Sequence, residues 1–525
     1  MTDSASQNVG DLIRAASKVT VGSLLAEMAR AQPSAIAAQE GQSTWSYGEF
    51  NRQVNRWASW LQGQGVATGD RLSILSENSH RYLELEFACA KLGAIAACIN
   101  WRLLDREIAH CVNLVEPRLV LVSPKYSEQV SREEWCSVPV HLLDEELDQW
   151  VARESDHEPD HDVGPEDALL ILFTSGTTGL PKGATVSHRA MIARAMLYGV
   201  LIRVERSDSF VAWNGLFHMA GSDFAIGQLL LGGKTLIVDG FDVEEIAALI
   251  ATERISYIGL QPGMIRRLTE YLTEHKIVPS GIKAAGAMAD LVPKTDIADV
   301  TRALNANYLN SMGSTETGMF PGTGNTLAIG VEPVSLAKHE GPYGLLRLVD
   351  DEGNEVGIGE PGECLVKGPT LFSGYWRNEE ANRQAFEGGW FRLGDVMVRN
   401  EDGTLDFVER KSSMIKSGGE NIYPAEIERA LLLDERVMDV CVVGRRDDKW
   451  GEVPVAFVAR RDPTLTAEDT GIIVTKTLAR FKRPKDVFFV EEGWFPRSAS
   501  GKIARKEVKE LYEAMVEQAT PAAVE

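Results

Sequence analysis

The sequence predicts an α/β chain: a large N-terminal domain of layered α/β sheets with a small β-rich subdomain, followed by a small α+β C-terminal domain. Three observations predict it. From Arg71 to Ala285 apolar, strand-length runs alternate with amphipathic helical runs, the pattern of parallel α/β layers. Beyond about Gly341 the texture changes to short strands broken by turn signals such as Asp351-Glu352-Gly353-Asn354 and Glu401-Asp402-Gly403-Thr404. A basic, glycine-containing stretch from Arg410 to Gly419 then precedes a fresh α+β pattern, so a boundary falls at Arg410 to Ser413 and divides residues 1–410 from 411–525.

The elements follow in order. After a polar leader to about Lys18, a short helix over Ser23 to Ala31 ends before Pro33. Ser46 and Glu49 form a capping-box pair for the next helix, whose Tyr47, Phe50, Val54, Trp57 and Leu61 share one face. Gly63 and Gly65 stop it. Strands are expected at Arg71 to Leu75, Ala94 to Asn100 and Leu119 to Val122, with helices at His80 to Leu92 and Asp105 to Leu114 between them. A strand at Ala168 to Phe173 runs into a glycine-rich loop, which leads to a helix capped by Ser187. Further strands near Ser209 to Trp213, Thr235 to Val238, Ile255 to Leu260 and Ile282 to Ala285 make two α/β sheets plausible. The C-terminal pattern is a helix from Ala425, strands near Asp439 to Val443 and Pro454 to Ala459, a helix from Ala467 and a strand near Val487 to Val490.

Composition bounds the function. The 525 residues are 44% hydrophobic and 25% charged, ordinary for a globular protein, and their length suggests about three structural units. Net charge is −22, which disfavours nucleic acid or an anionic membrane as partner. Six scattered cysteines without a C-x-x-C pair argue against a zinc site or a disulfide framework and fit a reducing, cytoplasmic compartment. No apolar run approaches the ~18 residues that span a bilayer, and the polar N-terminus, with Asp3, shows no signal-peptide pattern.

Chemistry enters with TSGTTGLPKG, Thr174 to Gly183. Small hydroxyls and three glycines at a strand end expose many backbone N–H groups, enough to wrap a phosphate chain, and Lys182 adds a point charge. The spacing is not the G-x-x-x-x-G-K-[ST] of a Walker A loop. Four further stretches stand in register with it: NSMGSTETG (Asn310 to Gly318), FRLGD (Phe391 to Asp395), ERKSSMIKSGGENIYPAEIE (Glu409 to Glu428) and PRSASGK (Pro496 to Lys502). Alone, each is more often a turn, a cap or a solvated face; together they resemble, over nearly the whole chain, the adenylate-forming (AMP-binding) superfamily, of the acyl-CoA synthetase or fatty-acid–CoA ligase type.

The resemblance implies ATP, Mg²⁺ and coenzyme A as cofactors. In the nucleotide site it places Thr174, Ser175, Gly176, Thr177, Thr178, Gly179 and Lys182 on the phosphates. Gly286, Ala287, Met288, Asn310, Ser311, Met312, Gly313 and Thr315 go around the adenylate, Glu316 on the metal, Asp395 on the ribose, and Arg410 on ribose or phosphate. Lys502 is the implied catalytic lysine, acting with Glu316, Thr174 and Lys182. Gly418 and Gly419 flank the thiol's path. The C-terminal domain is implied to be mobile about Ser412, and Ser412 and Ser413 depart from the charged residues usual there. Met312 stands where an aromatic is common. Trp213, His218, Met219, Gly221, Met264, Gly318 and Met319, with Met288 and Phe320, are the implied acyl pocket, and Asp223 argues against a second anionic group nearby. Arg445, Arg446, Arg480, Lys482, Arg483 and Lys485 could meet the phosphates of CoA.

The expected activity is ATP-dependent conversion of a small-molecule carboxylic acid to its acyl adenylate and then to acyl-CoA, in lipid or fatty-acid metabolism. The alternatives are a stand-alone adenylation enzyme that loads a carrier-protein thiol, and a non-catalytic nucleotide-binding relative. A homodimer is an expectation with no motif of its own.

Overall fold

A computed structural model of the chain describes residues 9–132, 138–174, 180–260, 262–322, 326–417, 420–447, 449–497 and 503–519. Two α/β sheets are present. The six-stranded one runs Val140–Leu142, Leu119–Val122, Arg71–Leu75, Ile95–Cys98, Ala168–Thr174 and Lys182–Ser187, parallel except for the last strand. The eight-stranded one has a parallel centre of Asn307–Leu309, Gly281–Gly286, Arg254–Gly259, Ser209–Ala212, Lys234–Ile237 and Ile36–Glu40, with antiparallel edges at Thr326–Leu327 and Ser43–Ser46. Parallel strands end on a common edge, and that edge is where α/β folds place their ligands.

Local signals set several boundaries. Helix Tyr47–Gly63 carries the expected capping box: Ser46 Oγ accepts from the Glu49 N–H, and Glu49 Oε2 accepts from the Ser46 N–H at 2.9 Å. Helix His80–Leu92 begins on Ser79 and stops at Gly93, whose φ of +69° supplies the left-handed cap. The polar leader contains an unexpected helix, Val9–Ala16, and the short hairpin strands Ile36–Glu40 and Ser43–Ser46 carried too few residues to be recognised by pattern.

Helices Tyr47–Gly63, His80–Leu92, His188–Ile202 and Met219–Leu230 share one core cluster with inward residues of both sheets. Alternation along Ser209–Ala212 shows the layering, because Phe210 and Ala212 join this cluster while Val211 joins a second cluster on the sheet's other face. A five-stranded antiparallel sheet follows, made by Leu345–Val349, Pro361–Lys367, Phe386–Glu387, Trp390–Arg399 and Leu405–Arg410. The C-terminal α+β region has its own five strands, two of them the long pair Val437–Asp447 and Gly451–Arg460, with helices Pro424–Leu432, Ala467–Thr477 and Arg505–Ala519. The five described cysteines are buried thiols, and Cys136 lies outside the described residues. Among the described residues no helix is long and apolar enough to cross a membrane.

Two carboxyls sit inside the main core. Glu84 accepts from Trp57 Nε1 at 2.8 Å, and Glu86 accepts from Ser222 Oγ at 2.7 Å. Burial pushes Glu84 up to about 7 and Glu86 up to about 8, against an ordinary 4.5. The folded chain therefore binds more protons than the unfolded chain between pH 4.5 and 8, so stability is full below that window and falls as pH rises through it. Glu86→Gln should melt like the wild type at about pH 5 and exceed it by roughly 3 °C or more at about pH 9. Thermal denaturation across that range checks this, and a pH-independent difference would refute the burial account.

Candidate active site

Thr174 and Lys182 are register partners at the mouth of a hairpin, because Ala168–Thr174 pairs antiparallel with Lys182–Ser187. This corrects the expectation that the glycine-rich loop leads straight into a helix. The helix, capped by Ser187 as expected, starts only at His188, after the strand Lys182–Ser187. Ser175, Gly176, Thr177, Thr178 and Gly179 lie outside the described residues. The other edge of Lys182–Ser187 is hydrogen-bonded by the segment from Ser373 to Trp376: Ser373 N–H to Thr185 O at 2.7 Å, Thr185 N–H to Gly374 O at 3.0 Å and Trp376 N–H to Gly183 O at 2.7 Å.

That segment delivers Tyr375, which no motif contained. Lys182 Nζ stands 5.2 Å from the centre of its ring, and its hydroxyl donates to Glu316 Oε1 at 2.9 Å. Burial first, and then the Glu316 carboxylate, hold the phenol protonated, which keeps it a donor. Among the described residues only Oε1 of Glu316 is engaged, and Oε2 remains as a hard oxygen ligand of the kind Mg²⁺ takes. The Glu316 carbonyl accepts from Phe372 N–H at 2.8 Å, which ties the same segment to the hairpin formed by Met312–Ser314 and Gly318–Gly322. Gly318 holds φ +66° there, next to the turn that presents Thr315 and Glu316.

The adenylate candidates fall just beyond strand ends. Gly286 closes Gly281–Gly286, and Ala287 and Met288 follow it. Asn310 follows Asn307–Leu309 and is fully buried, its side chain bound to Ala289 N–H at 3.1 Å and Leu336 O at 2.8 Å, so it braces the turn at Ala287 to Ala289. Ser311 N–H reaches Ala287 O at 3.4 Å, and the thioether of Met312 is buried in the main core. Gly313 sits across from Gly318 so closely that a Cβ would lie 1.9 Å from the Gly318 carbonyl oxygen.

Asp395 and Arg410 are cross-strand partners, with Arg410 Nε 2.7 Å from Asp395 Oδ1. Asp395 is buried and Arg410 half-exposed, so a diol and a phosphate would each find a charged group at this edge. Glu409, one residue earlier, is buried; its Oε1 accepts from Arg505 Nη1 at 3.0 Å and its Oε2 from Ala425 N–H at 2.8 Å. Arg505 also meets both oxygens of Glu428, at 2.8 and 2.7 Å. Between these lies a 3₁₀ turn, Lys411–Ser413, whose Lys411 pairs with Glu363 and Asp351, both at 2.9 Å. Gly418, Gly419 and Lys502 lie outside the described residues. Of the basic cluster, Lys482 pairs with Glu426, and Arg445 with Asp486 at 3.2 Å.

The acyl-pocket candidates divide between two cores. Met319 and Phe320 are buried in the main core and Met219 packs against it; Trp213, whose Nε1 donates to Gly259 O at 2.9 Å, and Met264 pack with the second cluster. His218 caps helix Met219–Leu230, its Nδ1 accepting from Ala220 N–H at 3.1 Å, so a neutral ring carries its proton on Nε2. Gly221 lets this helix touch the preceding loop, since a Cβ there would lie 2.4 Å from Gly215 O. Asp223, read as disfavouring a second anionic group nearby, is paired with Arg194 Nη1 at 3.1 Å inside the core.

Residues 25–376 match the family described as AMP-binding enzyme, and residues 426–502 match the AMP-binding enzyme C-terminal domain. Indoleacetate–CoA ligase of Aromatoleum aromaticum is 33% identical, the alignment covering 91% of this chain and 96% of the relative. Feruloyl-CoA synthase of an Amycolatopsis species is 31% identical over 94% of this chain and 99% of that one. Among solved structures, o-succinylbenzoate CoA synthetase of Bacillus subtilis in complex with its acyl-adenylate intermediate superposes with a TM-score of 0.81 at 25% identity, covering 93% of this chain and 97% of that one.

Tyr375→Phe keeps the ring over Lys182 and deletes the hydrogen bond to Glu316. Losing a bond to a charged acceptor at this point should slow acid-dependent ATP–pyrophosphate exchange by about tenfold. An unchanged exchange rate would show that Tyr375 only fills space.

Proposed function

The chain belongs to the AMP-binding enzyme family, and from that premise we propose that the acid it joins to CoA is a monocarboxylate with an uncharged aromatic or aliphatic body. It is an AMP-forming acid–thiol ligase: ATP activates a carboxylic acid to an acyl adenylate, and transfer to CoA gives acyl-CoA, AMP and pyrophosphate. The observation that carries the choice of acid is the character of the pocket candidates. The candidates on the main-core side, Met219, Met288, Gly318, Met319 and Phe320, are apolar or small, and Asp223 on helix Met219–Leu230 is paired with Arg194. The two relatives act on indoleacetate and ferulate, both acids with an aromatic body. Fatty acids fit the same lining.

In the first half-reaction a carboxylate oxygen attacks the α-phosphorus in line; the new O–P bond forms as the bond to the β-phosphate breaks, and pyrophosphate leaves. Lys182 and the Thr174 to Gly179 loop hold the departing diphosphate. Glu316, with Oε1 fixed by Tyr375, would hold Mg²⁺, which when bound would neutralise charge on the phosphates. Asp395 takes the ribose hydroxyls and Arg410 the ribose or phosphate edge, while Lys502 offsets the charge where two anions meet. In the second half-reaction the thiol attacks the acyl carbonyl along Gly418 and Gly419. The carbon–oxygen bond to AMP breaks, and the thiol proton goes to solvent. Residues 1–410 and 411–525 act as two bodies turning about Ser412, in a reducing cytoplasm.

Lys502→Ala should abolish adenylate formation, by at least about 100-fold, while thioester formation from preformed acyl-AMP stays nearly intact. Equal loss of both half-reactions would remove the role given to Lys502. CoA-dependent AMP release with a panel of aryl, alicyclic, short-chain and long-chain acids checks the substrate class; preference for a dicarboxylate would contradict it.

A further inference from the structure

Arg194 lies on helix His188–Ile202, is 3% exposed, and belongs to none of the motifs. A buried guanidinium needs an acceptor for every donor it can supply, and here the acceptors come from three separate segments. Nε donates to the carbonyl of Thr370 at 3.0 Å, Nη2 to the carbonyl of Thr315 at 2.9 Å, and Nη1 to both oxygens of Asp223 at 3.3 and 3.1 Å. Its stem lies against Gly318: a Cβ on that residue, at φ +66°, would stand 2.8 Å from Arg194 Cγ.

Each acceptor sits beside a site element. Thr315 immediately precedes Glu316. Thr370 begins the run to Phe372, whose N–H holds the Glu316 carbonyl, and to Tyr375, whose hydroxyl holds the Glu316 carboxylate. Asp223 is on the helix Met219–Leu230 that carries Met219 and Gly221 of the acyl pocket. Thus the backbone before Glu316, the segment that fixes its side chain, and the helix facing the acid all converge on one planar cation. The buried pair Lys338–Asp290, by comparison, ties Asp290 to the Leu336 carbonyl and, among the described residues, makes no hydrogen bond to any of these.

We propose that Arg194 is a positioning residue for adenylation: it sets the Thr315–Glu316 turn against the acyl-pocket helix, with Asp223 fixing the guanidinium's orientation. The inference rests on the reading of Glu316 as the group that works on the nucleotide and its metal. Geometry of the turn, rather than fold stability alone, is what its loss would disturb.

Arg194→Lys keeps a cation for Asp223, but a point-like ammonium cannot reach the Thr315 and Thr370 carbonyls together in the planar fork Arg uses. Expected for this variant are a melting midpoint within about 5 °C of wild type, kcat for acid-dependent ATP–pyrophosphate exchange reduced about tenfold or more, a raised Mg²⁺ concentration at half-maximal exchange, and thioester formation from preformed acyl-AMP within about twofold. Arg194→Met combined with Asp223→Leu removes both charges at once, a change that commonly preserves stability. Expected there is a wild-type melting midpoint with the exchange defect retained; recovery of both would make the pair merely structural and overturn the proposal. Glu316→Gln run in parallel separates the two readings. If Glu316→Gln exchanges normally, the role of Glu316 falls; if it is inactive while Arg194→Lys behaves as wild type, the inference about Arg194 falls alone.

Discussion

Strand Lys182–Ser187 is hydrogen-bonded along both edges, by Ala168–Thr174 on one side and by the segment from Ser373 to Trp376 on the other. Much of the site depends on that double pairing. One edge puts Lys182 opposite Thr174, so the glycine-rich loop is closed at its base by a register rather than by a helix. The other edge carries Tyr375 to within reach of Glu316, whose own backbone is held by Phe372. Three stretches far apart in sequence are thereby fixed to one another mainly through main-chain bonds, which are insensitive to side-chain identity and therefore durable.

Charge is handled locally in a chain whose net charge is −22. Each cation described near the site has a neighbour that holds it: Arg410 with Asp395, Arg194 with Asp223, Lys182 against the face of Tyr375. A nucleotide reaching Arg410 as proposed would have to compete with Asp395, which stands 2.7 Å from Nε. Of that pair the arginine is half-exposed, while the buried aspartate is set on strand Trp390–Arg399.

Much of the fold was legible because its signals are local. Ser46 with Glu49, Ser79 with Gly93, and Ser187 mark helix ends through bonds spanning only a few residues, and strands such as Arg71–Leu75 and Leu119–Val122 are plain apolar runs. Strand Lys182–Ser187 was not, because Lys-Gly-Ala-Thr-Val-Ser has no apolar run and takes its conformation from partners on either side. The site shows the same division. Motifs pointed to Thr174, Glu316, Asp395 and Arg410 as candidates, but Tyr375 meets Glu316 across 59 positions and Arg194 meets Thr315 across 121, and neither contact leaves a trace in nearby residue types. Trp213 and Met264 were grouped with Met319 by motif alone; the layering of the eight-stranded sheet puts them in different cores.

Glu409 gives the turn at Lys411–Ser413 a character that serines alone would not. Its carboxylate, before the turn, is closed off by Arg505 and by the N–H of Ala425, both after it. A swivel of the C-terminal region about Ser412 would have to undo both bonds together and leave a buried anion bare until a new partner arrived. If the proposed swivel about Ser412 takes place, the joint would act as a snap fastener with seated positions, the two serines supplying the freedom and Glu409, with Arg429 bonded to the Phe407 and Val408 carbonyls, setting where it stops.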